Sequence, residues 1–309
     1  MPQKIIFDTD PGVDDAMALL LALASPELEV LGVTTVFGNA AVEQTTHNAL
    51  HVLDVGRRPD IPVVAGAAQP LHRPRGQKAS VHGEDGLGNI GLGPSQREPT
   101  AWPGGAAGFM ADTVLAQPGE VTLVAVAPLT NLAQAVLSRP ELVAATRRVI
   151  VMGGAVFCRG NATPVAEANI HNDPEAARIV FGAGWPVTLV GLDVTMRTVM
   201  TDAFLDDLAR AGNPVTDFIA RIVPHYRQAY HKWSEFNGIP THDPSAMVAA
   251  IDPTLFSLRR TPVFVEVEGR CAGQTVADLR RQWAPLAEID VCVDVDSPRL
   301  LALFRSRVT

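Results

Sequence analysis

The feature that most constrains the fold is a short apolar strand that runs directly into an acidic turn and then into an apolar helix. Residues 4–8 have the composition of a buried strand, and the helix 16–23 follows a turn that holds Asp8, Asp10, Asp14 and Asp15. Acids this close repel each other by about 4 kcal/mol per close pair at an intermediate dielectric, so we expect a cation there. Oxygen donors without Cys or His favour Ca²⁺ or Mg²⁺ over zinc or copper. Helix capping accounts for one or two of these acids, but not for four.

Length and charge restrict the class of protein. The 309 residues are 47% hydrophobic and no linker rich in Pro, Gly or Ser divides them, so we predict one domain over residues 1–309. The formal net charge of −8 argues against a nucleic-acid or anionic-membrane partner.

The longest apolar run, residues 16–24, is too short to span a bilayer, and we expect no signal peptide because a core strand begins by residue 4. Three cysteines without a C-x-x-C motif suit a reducing cytoplasm.

Strand-like and helix-like segments alternate through the first two-thirds of the chain, which is typical of βαβ units and a parallel sheet. The predicted strands cover residues 4–8, 29–35, 63–65, 121–126, 149–152 and 187–192. The predicted helices between them cover residues 14–24, 41–55, 105–116, 129–138 and 174–182. Right-handed crossovers place the carboxyl ends of such strands at one edge of the sheet. Polar residues that follow the strands, such as Asp8, Asp10 and Asn39, therefore gather at this edge.

The last third of the chain is predicted to finish the same core, with a helical stretch over 202–233, strands near 264–267 and 290–295, and a helix over 298–306. The helical stretch leads to His242, Asp243 and Pro244. An acid followed by Pro is a common helix start that needs no function. His242 beside the acid adds an imidazole that can serve as an acid or base with a pKa near neutrality.

One long loop contains candidate sugar-binding residues. Residues 153–170 are irregular and rich in amides, and a loop of this length inside a compact domain is more often functional than not. Asn161, Glu167 and Asn169 provide donors and acceptors suited to sugar hydroxyls. A solvated loop without a ligand is the alternative.

A second loop, residues 81–89, contains a G-x-G-x-x-G match at Gly86, Gly88 and Gly91. The loop neither follows a convincing strand nor opens a helix, so we predict a mobile flap and not a dinucleotide site. His47 and His51 stand four residues apart on a predicted helix, but without a third ligand nearby we interpret them as surface or packing residues.

Together these segments resemble the inosine-uridine-type nucleoside hydrolases, which are calcium-dependent N-ribohydrolases. The resemblance covers nearly the whole chain and follows its order through Asp8-Thr9-Asp10-Pro11-Gly12-Val13-Asp14-Asp15, Gly38-Asn39, His82-Gly83, Pro128-Leu129-Thr130-Asn131, Met152-Gly153-Gly154, Glu167-Ala168-Asn169 and His242-Asp243-Pro244. It implies a Rossmann-like nucleoside hydrolase fold, a cytoplasmic role in purine and pyrimidine salvage, a ribonucleoside as the small-molecule partner, and a homo-oligomer, either a dimer or a tetramer.

The resemblance also implies a Ca²⁺ site and a base for the attacking water. Position by position, it assigns the ion to Asp10, Asp15, Asp243 and the backbone carbonyl of Val126. Calcium accepts six to eight oxygen ligands in irregular geometry, which suits such a set. Asp10 is then also the base that takes a proton from a water activated by the cation.

The remaining assignments concern the substrate. The resemblance implies that the ribose hydroxyls are held by Asp14, Asn161, Glu167 and Asn169, with Asn39 lining the sugar pocket. His242 is the candidate acid at the leaving base, and His82 is expected near the base on the flap. Tyr230 lies on the helix expected to face the base, where it either contacts the base or serves packing or an oligomer contact.

Two departures and two alternatives remain. Some relatives carry a large aromatic residue at the position of Ala168, so the smaller Ala168 should widen the pocket. Val126 replaces a commoner Thr, and this change has no effect if only the backbone carbonyl binds the ion. One alternative is a haloacid-dehalogenase-like phosphatase, in which an aspartate at the end of a strand is the nucleophile and acts with Mg²⁺. Asp14, Asp15 and the late His242 and Asp243 would have no role in such an enzyme. The other alternative is a calcium-dependent nucleoside- or sugar-binding protein without turnover.

Overall fold

The computed structural model describes residues 1–76, 80–233, 237–283 and 286–309. Its strands in chain order are β1 (Gln3–Thr9), β2 (Leu28–Thr35), β3 (Val63–Ala65), β4 (Val121–Ala125), β5 (Arg148–Met152), β6 (Val187–Val190), β7 (Val199–Thr201), β8 (Gly238–Pro240), β9 (Phe256–Val265), β10 (Thr275–Ala277) and β11 (Glu288–Val295). Its α-helices are α1 (Val13–Leu23), α2 (Val42–Val55), α3 (Gly105–Leu115), α4 (Thr130–Ser138), α5 (Leu142–Ala145), α6 (Ala168–Asn172), α7 (Pro174–Gly182), α8 (Leu192–Thr195), α9 (Asp202–Ala209), α10 (Pro214–Trp233), α11 (His242–Ile251) and α12 (Ser297–Val308).

Within the described residues, nine strands form one sheet in the order β10-β9-β11-β6-β5-β4-β1-β2-β3. All neighbours from β11 to β3 pair in parallel, whereas β9 and β10 are antiparallel additions at one edge. Strands β7 and β8 form a separate antiparallel pair. The predicted α/β class, with a mainly parallel central sheet flanked by helices, is confirmed.

The sheet is covered by helices on both faces because its parallel strands are apolar on both faces. Successive side chains of β1 enter different cores: Ile5 and Phe7 pack in one cluster and Ile6 in the other. Helices α1, α2, α10, α11 and α12 contribute to the first cluster, and α3, α4 and α7 contribute to the second. The alternation of side chains along a strand therefore produces the three-layer arrangement.

The carboxyl ends of the central strands meet at one edge of the sheet. Asp8 in β1 lies in register with Thr34 in β2 on one side and with Ala125 in β4 on the other. Helix α11, which begins at His242, packs against α1. This packing brings the late His242 and Asp243 to the acidic turn that follows β1.

The antiparallel edge differs most from the sequence prediction. The strand predicted at 264–267 is the end of β9, which begins at Phe256. Residues 257–260 of β9 are exposed, so this half of the strand lacks the apolar run that marks the parallel strands. Strands β7, β8 and β10 have three residues each and were not predicted.

The helical stretch predicted over 202–233 consists of two helices, α9 and α10, because the chain turns at residues 210–213. Gly212 in this turn adopts a φ of 64°, a left-handed conformation that interrupts a helix and favours glycine. Among the helices that the structure describes, none is both long enough and apolar enough to cross a membrane.

Candidate active site

A group of buried carboxylates lies where β1 ends and α11 begins. Oxygen atoms of Asp14, Asp15 and Asp243 all lie within 4.8 Å of one another, and all three residues are buried. Asp10, also buried, precedes them in the turn but is not in this set of three. The structure therefore brings Asp243 to the acidic turn as predicted, and it places Asp14, predicted as a ribose ligand, beside two predicted metal ligands.

Hydrogen bonds fix one part of this acidic group and leave another part unpaired. Asp15 accepts from the hydroxyl of Thr9 at 2.6 Å, from the Gly12 N–H at 2.9 Å and from the Asn39 side-chain amide at 3.0 Å. Asp10 Oδ2 accepts from the backbone N–H of Asn39 at 2.5 Å. In the described part of the chain, the buried Oδ1 atoms of Asp10 and Asp14 have no hydrogen-bond partner.

Burial and mutual repulsion make this arrangement unfavourable for charged carboxylates alone. Burial raises the pKa of Asp10 well above its usual value, and the nearby charge of Asp15 raises it further. Burial also raises the pKa of Asp243, with added contributions from Asp14, Asp15 and Asp10. A bound cation reverses these effects because it attracts the charged forms. Buried, unpaired oxygen donors of this kind fit a hard divalent metal ion.

Asp8, in strand β1 just before the acidic turn, is held by hydrogen bonds to neighbouring elements. Its Oδ1 accepts from the Thr34 hydroxyl at 2.6 Å and from the Asn131 side-chain amide at 2.8 Å. Burial raises the pKa of Asp8 to about 7, although these two hydrogen bonds act in the opposite direction. Asn131 also donates to the Thr35 carbonyl and accepts from the Ala67 N–H, so it joins the ends of β1, β2 and β3.

The predicted sugar-binding residues surround the start of α6. Glu167 caps this helix: its carboxylate accepts from the N–H groups of Asn169, Ile170 and Gly154 at 2.9–3.1 Å. Asn161 accepts from the Ala168 N–H at 3.0 Å. The structure therefore gives Glu167 and Asn161 a backbone-organising role in addition to any contact with a ligand.

Asn169 connects this helix start to the sheet. Its side-chain amide donates to the Val126 carbonyl at 3.0 Å and lies 3.3 Å from the Met152 carbonyl. Val126 directly follows β4 and Met152 ends β5, so Asn169 reaches the same sheet edge as the acids. The Val126 carbonyl, predicted as a metal ligand, accepts this hydrogen bond from Asn169 with one of its two lone pairs.

Aromatic rings form a wall beside the carboxylates. The ring centroids of His82 and Tyr226 are 4.9 Å apart, those of Tyr226 and Tyr230 are also 4.9 Å apart, and Tyr230 and His242 follow at 6.1 Å. His82 accepts from the Val13 N–H at its Nδ1, 3.1 Å away, and so joins the flap to the start of α1. The structure thus places the predicted base-side residues His82, Tyr230 and His242 together.

His242 is held between two hydroxyl groups, with Nδ1 2.8 Å from Thr195 Oγ1 and Nε2 2.8 Å from Tyr230 Oη. The pKa near neutrality that was expected for this residue is wrong. Burial is the main cause that lowers the pKa of His242 to about 3, and the electrostatic influence of His82 is the second. The imidazole is therefore neutral at physiological pH.

Sequence reasoning missed Tyr226 and Thr195. Tyr226 precedes Tyr230 by four residues, a helical spacing that puts both rings on one face, so the sequence held a signal for it. Thr195 ends the short helix α8, and no pattern in the sequence connects it to His242. Its contact depends on how α8 packs against α11.

Comparisons with known proteins agree with this geometry. The family model described as "Inosine-uridine preferring nucleoside hydrolase" matches residues 5–302. Uridine nucleosidase 1 of Arabidopsis thaliana is 38% identical over 314 residues, which cover 99% of this chain and 93% of that protein. The inosine-uridine preferring nucleoside hydrolase of Leishmania major is 39% identical over 306 residues, which cover 98% and 96%.

A solved structure of a plant nucleoside hydrolase, the PpNRh1 enzyme, superposes with a TM-score of 0.96 at 38% identity and covers 100% of this chain and 99% of that one. Family match, sequence identity and structural similarity each extend over nearly the whole chain. The chain therefore belongs to the inosine-uridine preferring nucleoside hydrolase family and is a nucleoside hydrolase.

Proposed function

We propose that this enzyme hydrolyses the N-glycosidic bond of ribonucleosides such as inosine and uridine, releases the free base and ribose, and requires Ca²⁺. The observation that carries the proposal is the group of buried carboxylates with unpaired oxygens beside an aromatic wall. Such a site offers cation and sugar ligands on one side and a surface for a planar base on the other. The names of the relatives, uridine nucleosidase and inosine-uridine preferring nucleoside hydrolase, support the substrate class.

The ion would be held by Asp10, Asp15, Asp243 and the carbonyl of Val126. Hard oxygen donors in irregular arrangement favour Ca²⁺, and the closeness of Asp14 to two of these acids adds negative charge to the site. When bound, the ion supplies positive charge that acidifies a coordinated water and orients sugar hydroxyls.

Asp10 is the base. Its Oδ2 is fixed by the Asn39 N–H, whereas its buried Oδ1 has no hydrogen-bond partner in the described chain and is the atom that receives the proton of the attacking water. A carboxylate held at one oxygen keeps a defined orientation at the other, which general base catalysis requires.

The ribose lies among Asp14, Asn39, Asn161, Glu167 and Asn169. Asp14 offers Oδ1 to a hydroxyl because Tyr226 occupies its Oδ2. Glu167 holds Asn169 through the backbone N–H and so fixes the start of α6 against the sheet edge. These groups orient the sugar and stabilise the positive charge that develops at the anomeric carbon.

Departure of the base is assisted by His242 together with Tyr230, and His82 borders the base from the flap. Since His242 is neutral, it contributes through a hydrogen bond to Tyr230 and not as a cationic acid. Within the aromatic wall, the Tyr230 ring lies between the ring of Tyr226 and the imidazole of His242.

A substrate panel tests the proposal. Purified enzyme with Ca²⁺ is incubated with purine and pyrimidine ribonucleosides and with phosphorylated sugars, and free ribose, base and phosphate are measured. Ribose and base in equal amounts support the proposal. Phosphate release would indicate the phosphatase alternative, and saturable nucleoside binding without ribose release would indicate a binding protein.

We also infer a cytoplasmic setting for nucleoside salvage and assembly into a dimer or tetramer. All three cysteines, Cys158, Cys271 and Cys292, are free, which suits a reducing compartment. Large exposed side chains such as Leu279 and Trp283 offer apolar surface for self-association. Light scattering of the purified chain at several concentrations measures the assembly.

A further inference from the structure

The contact between Thr195 and His242 decides which ring nitrogen of His242 carries its hydrogen. Thr195 is the last residue of α8, His242 is the first of α11, and their side-chain atoms Oγ1 and Nδ1 are 2.8 Å apart. The two residues are 0% and 4% exposed, so water does not compete for this hydrogen bond.

The hydrogen count at Thr195 gives the direction of the bond. A threonine hydroxyl has one hydrogen to donate and can also accept, whereas neutral imidazole has one N–H and one acceptor nitrogen. Among the described residues, His242 Nδ1 is the one partner of this hydroxyl. If Nδ1 carried the hydrogen and donated it, the Thr195 O–H would be buried without an acceptor, which is costly. The hydroxyl therefore donates to Nδ1.

A ring nitrogen that accepts a hydrogen bond carries no hydrogen, so the geometry at Thr195 leaves the one N–H of the imidazole on Nε2. Nε2 lies 2.8 Å from Tyr230 Oη, so the Nε2–H donates to the Tyr230 oxygen. Tyr230 consequently directs its own O–H away from His242. Tyr226, which shares a hydrogen bond with Tyr230, lies on that other side. On the proposed function, the network of His242, Tyr230 and Tyr226 borders the departing base.

We propose that Thr195 is a positioning residue that holds His242 as the Nε2–H tautomer and thereby sets the direction of the hydrogen bond from His242 to Tyr230. The tautomer itself depends only on the geometry of Thr195, His242 and Tyr230. Its effect on catalysis rests on the proposed function, in which His242 and Tyr230 assist the leaving base.

The first test is spectroscopic and needs no turnover. The full-length chain is labelled with ¹⁵N at its eight histidines, and the His242 signals are assigned by their loss in His242→Gln. The expected spectrum shows an unprotonated, hydrogen-bonded Nδ1 and a protonated Nε2. Thr195→Val should shift the Nδ1 signal towards that of an unbonded nitrogen, and Thr195→Ser should keep the wild-type value. A proton on Nδ1 in the wild type would overturn the inference.

The second test is kinetic and uses the same pair of variants. Thr195→Val keeps the shape of the side chain without the hydroxyl, and should lower kcat for inosine about tenfold, the size of one hydrogen bond. The loss should be smaller for p-nitrophenyl riboside, whose leaving group needs little assistance. Thr195→Ser should recover most of the activity.

A double-mutant comparison separates positioning from a general structural effect. In the His242→Ala background, Thr195→Val should cause no further loss, because its effect passes through His242. The same tenfold loss in that background, equal losses for both substrates, or an unchanged rate for Thr195→Val would contradict the positioning role. If the wild type cleaves no riboside, the proposed function fails, and the NMR spectrum still decides the tautomer. If Thr195→Val does not fold, the wild-type spectrum and Thr195→Ser decide it.

Discussion

Tyr226 donates its hydroxyl hydrogen to Oδ2 of Asp14 at 3.0 Å, although 212 positions separate the two residues in the chain. The bond joins α10 to the acidic turn and occupies one of the two Asp14 oxygens. It leaves Oδ1, which accepts no hydrogen bond from the described residues and lies 3.7 Å from His82 Nδ1, as the oxygen for a ligand.

Replacement of Tyr226 by Phe should therefore weaken catalysis while the ring stays in place. A hydrogen bond to a charged group contributes roughly 1.5–3 kcal/mol, so kcat/KM for inosine and uridine should fall about 10- to 100-fold. Thermal unfolding of the same sample serves as the control for folding. An unchanged kcat/KM in a folded variant would show that the Tyr226 hydroxyl does not orient Asp14.

The sequence predicted the parallel strands well because each is rich in buried apolar and β-branched residues. Strands β1 to β6 were predicted with ends within a few residues of the observed ones. Strand β9 was predicted only at its end, because its first half places exposed residues such as Arg259 and Arg260 on an antiparallel edge. The three residues of β10 begin with a Thr and, unlike the apolar three of β3, carry too little pattern to be distinguished from a loop.

The site was predictable where function imposes a dense local pattern, as in the acidic turn from Asp8 to Asp15. The contact of Asp243 with this turn came from the family resemblance and not from the residues alone. The hydrogen bonds of Thr195 and Tyr226 depend on packing between distant helices, which no local pattern specifies. Burial also reverses the expectation for His242, since a pKa near neutrality applies to a solvated imidazole.

Recognition of the ribose should require its hydroxyls. If a substrate lacks a hydroxyl, the groups proposed to bind it, such as Asp14, stay buried without a partner. Sites built to bind a hydroxyl therefore reject analogues that lack it. We expect 2′-deoxyuridine to be a much poorer substrate than uridine when both are assayed for sugar release. Equal kcat/KM values for the two would mean that the 2′-hydroxyl is not recognised.

The contribution of His242 should depend on the leaving group. His242→Ala should slow inosine and uridine far more than p-nitrophenyl riboside, because nitrophenolate leaves with little assistance. The control is His51→Ala, which makes the same substitution on α2, away from the acidic group. It should leave the ratio of the nucleoside rate to the p-nitrophenyl riboside rate unchanged. If His242→Ala lowers every rate by the same factor, His242 belongs to the fold or the ion site.

Calcium should stabilise the fold as well as support activity. An ion that binds only the native state at 100 times its Kd adds about 2.7 kcal/mol to the free energy of unfolding. Chelation should therefore lower Tm and abolish turnover, and added Ca²⁺ should restore both. Asp243→Asn should show a smaller rise of Tm with Ca²⁺, since Asp243 lies in the close set of carboxylates. Full turnover in a verified metal-free sample would refute the ion site.

The most direct test of Asp10 as the general base is the rate of ribose release from inosine by Asp10→Asn in saturating Ca²⁺, with bound metal measured in the same sample. Asp60→Asn, an exposed residue paired with Arg58, is the matched control and should retain the wild-type rate. If Asp10 is the base, kcat should fall at least ~10²-fold in a folded protein, the lower range for general acid–base catalysis. A rate near that of the wild type would show that Asp10 is not the base.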